Sequence, residues 1–356
     1  MHWTVASFLM TLGFGPMGPD APAREPQFAV SRSNVALVFG AGQSIYFSLS
    51  ADSGRTFSTP VKVAESDVVP LTRHRGPRVV FAGSKIVITA VVGKTAAEGA
   101  HAHGLPSDGD LIAWRSMDGG KAWSKGIVIN DVPGAPTEGL HGLTSDGEGR
   151  LFAAWLDHRG GHGTKLYGAQ SLDGGATWSR NVLLYQSPDG SICECCHPSV
   201  AFDRNGEILV MWRNSVGGSR DMYLARSTDG TRFAAPQKLG EGTWELNGCP
   251  MDGGGIAVLD QGVITAWRRE HSLFLDKPGE PETVIGEGTD AAITPGKEGM
   301  YLIWSGTSGI QLLAPGDKQA HVVSGKGSFP AIAGLPSGGA IAAWEDSGKI
   351  TIQVVK

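Results

Sequence analysis

The stretch Ser191-Ile-Cys193-Glu-Cys195-Cys196-His197-Pro198 brings three thiols and an imidazole together, and Cys249-Pro-Met251-Asp252 adds the fourth cysteine and a thioether. These residue types admit three chemistries. In an oxidising compartment four cysteines form up to two disulfides, and a bond from Cys249 to one of the trio would staple two distant segments. Kept reduced, Cys193, Cys195, Cys196 and Cys249 with the Met251 thioether and His197 suit Cu(I). With His197 and no thioether the same set suits zinc, although three cysteines within four positions are not a standard zinc spacing. Cys193-x-x-Cys196-His197 also matches the C-x-x-C-H haem-attachment pattern, with Met251 as axial partner. Haem is the least favoured cofactor, because no helical periodicity surrounds the motif.

A second set pairs guanidinium groups with acids. Arg75 and Arg78, Glu138 and His141, Asp157 and Arg159, Arg213, Asp252, and Arg268-Arg269-Glu270 all sit in short polar segments at the ends of apolar runs. An arginine fork matches a carboxylate bidentately, and paired carboxylates serve as general acid and base. No G-x-S-x-G appears, so a serine nucleophile has no support.

What must position these residues is a repeat. Ser50-Ala-Asp52-Ser-Gly54-Arg-Thr-Phe57, Ser116-Met-Asp118-Gly-Gly120-Lys-Ala-Trp123, Ser171-Leu-Asp173-Gly-Gly175-Ala-Thr-Trp178 and Ser227-Thr-Asp229-Gly-Thr-Arg-Phe233 share the pattern S-x-D-x-G followed by an aromatic, the last copy one residue shorter. Ser and Asp can bond the N–H groups of their own turn, and Gly supplies the positive φ, so each reads as a hairpin turn lock rather than a reactive site. In step with these turns run apolar strands such as Leu151–Trp155, Ile208–Trp212, Val263–Trp267, Tyr301–Trp304 and Ile341–Trp344. The spacing predicts units of four strands beginning near residues 27, 77, 140, 198, 254, 290 and 329. The last unit lacks an outer strand, which residues near the mature N-terminus, just after Ala23, are expected to supply. Because strands run up and down, the segments before each first strand and after each second strand share one face of the disc. Nearly all the cysteines, histidines and Arg/acid pairs fall in those segments, which points to a pocket there.

The S-x-D-x-G turns resemble the Asp box of sialidase-like β-propellers over most of residues 27–355. The resemblance implies an all-β propeller of six or seven four-stranded blades, with six usual for sialidases, and a function of binding or hydrolysing an anionic glycan. It implies a three-arginine clamp for a substrate carboxylate, for which Arg78, Arg213 and Arg268 are the candidates. It further implies an acid/base residue, Asp157 or Glu138, and a carboxylate supporting a tyrosine nucleophile, Glu270 or Asp252. Arg75, His141, Arg159, Asp252 and Arg269 would complete the substrate pocket. The five tyrosines fall in strands, which keeps a non-catalytic, partner-binding propeller beside the hydrolase.

The 356-residue chain is rich in Gly (52) and poor in charged residues (18%), a profile that suits many short strands joined by tight turns. A net charge of −5 with no basic stripe argues against nucleic acid as a partner. Residues 1–23 read as a secretion signal, apolar up to Met17 and ending in Ala21-Pro-Ala23. The expectation is therefore one domain over 24–356 in a secreted or periplasmic protein, monomeric and without membrane insertion.

Overall fold

The computed structural model describes residues 11–95 and 104–356. Seven antiparallel four-stranded sheets account for every strand among them, and no helix occurs there. The first strands of the seven sheets are Ala23–Ser31, Arg78–Ala82, His141–Ser145, Ser199–Phe202, Gly254–Leu259, Thr289–Gly296 and Ser328–Gly334. Each touches the next, and the seventh touches the first, so the sheets form a closed ring of seven blades around an axis. The repeat spacing in the sequence thus corresponds to seven blades rather than six.

The second strand of each blade is buried on both sides. Leu151–Asp157 and Ile208–Arg213 are buried at every position. Such strands read as continuous apolar runs, whereas the third strands alternate, as in Met222–Ser227. An apolar layer lies at each of the seven blade–blade interfaces. The tryptophans that close the second strands (Trp155, Trp212, Trp267, Trp304 and Trp344) sit in these layers, at most 2% exposed. Truncating one to Ala would cost about 3–5 kcal/mol.

The ring closes through the N-terminal part of the chain, but from a different place than expected. Leu12–Phe14 is the outer strand of blade 7, paired antiparallel with Lys349–Val355. It lies inside the stretch that reads as a leader, so cleavage after Ala23 would leave blade 7 with three strands.

The four S-x-D-x-G turns are locked as their composition implies. In blade 1, Ser50 Oγ donates to Asp52 Oδ1 at 2.8 Å and accepts from Gly54 N–H at 2.9 Å, while Asp52 accepts from Thr56 N–H. Blades 2, 3 and 4 repeat the pattern. Each glycine sits against the neighbouring blade. A Cβ at Gly120 would run into the Phe47 ring, and Trp123 packs edge-on against that ring at 5.2 Å. Asp52, Asp118, Asp173 and Asp229 are therefore structural.

Candidate functional site

The face opposite these turns holds a different kind of cluster. The first strands of blades 1, 6 and 7 each carry a register shift near their start, at Arg24/Gln27, Thr289/Ala292 and Ser328/Ala331. The bulged residues Glu25 (φ 53°), Asp290 (φ 61°) and Phe329 (φ 49°) are left-handed. His74 (φ 68°), on the segment entering blade 2, and Met251 (φ 58°), on the segment entering blade 5, are also left-handed. Left-handed backbone costs a non-glycine residue about 1–3 kcal/mol and collects where surrounding structure holds a side chain in a required place. Here it delivers an imidazole and two carboxylates to one end of the axis.

His74 is the hub. Its Nε2 lies 2.9 Å from Asp290 Oδ1, and its backbone N–H donates to Glu25 Oε1 at 3.0 Å. Its ring lies against His197 (4.4 Å between centroids) and edge-on to Phe329. Glu25 N–H donates to Glu345 Oε1 at 2.8 Å, which brings in blade 7. Asp290 N–H donates to Asp252 Oδ2 at 3.2 Å, which brings in blade 5. Below this mouth a channel of about 450 Å³ runs down the axis, with His74, Arg78, His197 and Asp290 at its rim.

The environment sets these groups apart. Burial pushes Glu25 up to about 7, further than His74 and Arg78 pull it down. Burial likewise raises Glu345 and Asp252. Asp290 is also partly buried, yet the hydrogen bond and charge of His74 outweigh that and hold its carboxyl below the usual range. His74 is raised in turn: burial opposes its charge, but Asp290 prevails. His197 is driven well down by burial and by the charges of His74 and Arg78, so it is neutral. The mouth thus sets an Asp290 carboxyl, held toward its ionised form by His74, beside a Glu25 carboxyl that gives up its proton only around neutrality.

The residues singled out from the sequence separate into distinct places. Arg78, Arg213, Arg268 and Asp252 reach the axial region, but the arginines are already engaged. Arg213, 1% exposed, gives Nε, Nη1 and Nη2 to the carbonyls of Asp252, Arg220 and Arg268. Arg268 gives Nε to Asp252 and its other nitrogens to the Glu270 and Pro250 carbonyls. Arg78 bonds the carbonyls of His74, Gly76 and Pro77. The three do not form an open clamp; they hold the backbone of the mouth in shape. Trp244 is buried beside Arg213 and Arg268, whose guanidinium carbons lie 5.1 and 5.2 Å from its ring.

Asp157 is fully buried and accepts from Trp155 Nε1 and from Arg159 N, Nε and Nη2, so it anchors a blade end instead of facing a ligand. Arg159 also reaches Asp131 and Asn181. Arg75 clips Glu138, and Arg269 clips Glu282, away from the axis. Glu270 is exposed in a turn. His141 is fully buried against Thr89 Oγ1, held down to about 3 by burial and by Arg78. His101 and His103 lie outside the described residues.

Glu25 was not legible as a site residue, because it is only the second residue after the apparent cleavage site. The available signal was its place at the start of the first blade's first strand, the counterpart of Asp290 in blade 6.

The sulfur cluster adjoins the mouth. Cys195 and Cys249 form a disulfide that ties the loop entering blade 4 to the loop entering blade 5. This corrects the metal reading for those two residues, since neither offers a thiolate. His197 is likewise committed to the axial cluster. Cys193 and Cys196 remain thiols, buried and joined by an S–H···S hydrogen bond of 3.1 Å, with Met251 packed against the group.

No family model and no curated protein matches this chain. Solved structures do. A protein of unknown function from Dyadobacter fermentans superposes with a TM-score of 0.57 at 14% identity, over 97% of this chain and 98% of the other. An α-L-arabinanase of Penicillium chrysogenum, complexed with arabinobiose, gives 0.55 at 14% identity over 98% of both chains. The intramolecular trans-sialidase of Ruminococcus gnavus gives 0.53 at 11% identity over 96% of both. At these identities the likeness establishes a sialidase-like propeller fold.

Proposed function

We propose that this propeller binds and hydrolyses a glycan at the axial mouth. The observation that carries the reading is the split between carboxylates there: Glu25, backed by Glu345, retains its proton near neutrality while Asp290 is held ionised by His74. Two carboxyl groups pushed apart in this way supply the acid and the base or nucleophile that glycoside hydrolysis needs. The arabinobiose bound by the Penicillium arabinanase supports a sugar ligand for this architecture.

The substrate is a neutral glycan rather than an anionic one. A sugar carboxylate needs free guanidinium forks, and Arg78, Arg213 and Arg268 spend theirs on backbone carbonyls and Asp252. Hydroxyl groups, by contrast, pair well with His74, Asp290 and Glu345. An exo-sialidase activity is the second reading, favoured by the sialidase folds among the similar structures. The Cys195–Cys249 bond supports placement outside the reducing cytoplasm.

A panel of aryl arabinofuranosides, other neutral aryl glycosides and a fluorogenic sialoside tests the proposal. Turnover of a neutral glycoside, abolished in Asp290→Asn and in Glu25→Gln, is the expected result. Sialoside turnover that survives Asp290→Asn would overturn it, as would the absence of binding to any glycan on an array.

A further inference from the structure

The sulfur cluster carries a second site, chemically separate from the axial mouth. We propose that Cys193 and Cys196, together with the Met251 thioether, bind a single Cu(I) ion while Cys195 and Cys249 remain in their disulfide.

The donor set is the first argument. Cys193 Sγ lies 3.1 Å from Cys196 Sγ and 3.7 Å from Cys195 Sγ, and the three sulfurs are mutually within 4.8 Å. Met251 packs against them. Among the described residues no carboxylate or imidazole belongs to this group, and His74, Asp252 and Asp290 gather separately at the mouth. Thiolates and a thioether without hard donors select a soft monovalent ion. A structural zinc site needs four ligands from thiolate, imidazole or carboxylate, and the disulfide removes two of the four thiols.

The second argument is preorganisation. Cys193 and Cys196 are 3% and 1% exposed, on a loop anchored by Cys193 N–H to the Arg213 carbonyl. Met251 is held left-handed, two residues after the disulfide that fixes its loop. The disulfide thus acts as a brace that brings the thioether to the thiol pair across a blade boundary.

Charge is the third. Binding converts two thiols to thiolates, releases two protons and changes no oxidation state, leaving a bis-thiolate cuprous centre of charge −1. The Arg213 and Arg220 guanidinium groups are the cations that act on Cys193. Arg213 is buried and has no carboxylate partner among its hydrogen bonds, so its charge is available to balance the centre.

The test is an anaerobic titration of the full chain with Cu(I), competed against bicinchoninate, after thiol counting and peptide mapping confirm free Cys193 and Cys196. Retention of a single equivalent is expected, lost in Cys193→Ser and in Cys196→Ser, and weakened both in Met251→Leu and in the Cys195→Ser/Cys249→Ser double variant, which loses the brace but keeps the thiol pair. Should the chain be isolated with a Cys193–Cys196 disulfide, mild reduction precedes the titration. A chain with both thiols free that retains no Cu(I) overturns the proposal, and so does undiminished retention in Cys193→Ser. Glycan binding measured on the same samples reports on the axial mouth independently.

Discussion

The two faces of the disc use carboxylates in opposite ways. On the turn face, Asp52, Asp118, Asp173 and Asp229 bond groups two to four residues away, and those bonds pull each carboxyl below its ordinary range. On the axial face, Glu25 meets partners 49 and 320 residues away, and His74 meets Asp290 across 216. There burial dominates, and Glu25, Glu345 and Asp252 are raised. An aspartate satisfied by its own turn is settled and does no chemistry. Carboxyl groups brought together from four blades and sheltered from water stay unequal, and inequality is what proton transfer requires.

The largest expected effect tests that contrast directly. Asp290→Asn is expected to lower kcat/KM on a responsive glycoside by roughly 100- to 10,000-fold, the range for removing a positioned acid or base. Asp173→Asn on the opposite face should leave it unchanged, and comparable losses from both would erase the distinction. Next comes Arg213→Met, which strands three carbonyls. At about 1–3 kcal/mol for each unsatisfied group, the loss of unfolding free energy should be about 4 kcal/mol by chemical denaturation. Unchanged stability with lost binding of an acidic sugar would restore the arginine-clamp reading.

A smaller effect depends on pH. Glu25 rises from an ordinary 4.5 to about 7 on folding, so the folded chain binds its proton more tightly. The resulting stability is complete below pH 4.5 and is lost as pH climbs through about 7. Glu25→Gln imitates the protonated acid. It should match the parent at pH 4 and exceed its stability at pH 8 by about 1–3 kcal/mol. Equal stability at both pH values would refute the burial argument.

The smallest effect has the opposite sign. Asp173 is lowered to about 2, its slight burial outweighed by bonds from Thr177, Ser171 and Ala176. Asp173→Ala should cost about 1 kcal/mol at pH 7, and the gap should close as pH falls through about 2. A gap that persists at low pH would show that the turn does not rely on the carboxylate.

Much of the fold was legible because it is local. The S-x-D-x-G turns close their own hydrogen bonds, and the second strands announce themselves as apolar runs ending in Trp. The expected unit starts therefore fall within a few residues of the observed first strands, from 27 against Ala23 to 329 against Ser328. The alternation of strands also sorted His74, His197, Asp252 and Asp290 onto one face, where they lie together.

What the sequence by itself determined is the repeat, the start of each unit and the face toward which the reactive segments run, since each follows from spacing within some fifty residues; that the seven units make seven blades rather than six was decided by the structure. Which residues remain available was decided only by the tertiary structure. Arg213 and Asp157 look reactive as letters, yet packing satisfies every polar group they offer. Glu25 looks incidental, yet ring closure sets it beside Glu345, on the last blade, and buries both. The cysteines follow the same rule: four equivalent thiols in the chain become one disulfide and one thiol pair because the loops entering blades 4 and 5 run side by side. Availability is a matter of what the rest of the molecule leaves unsatisfied, and no local pattern records that.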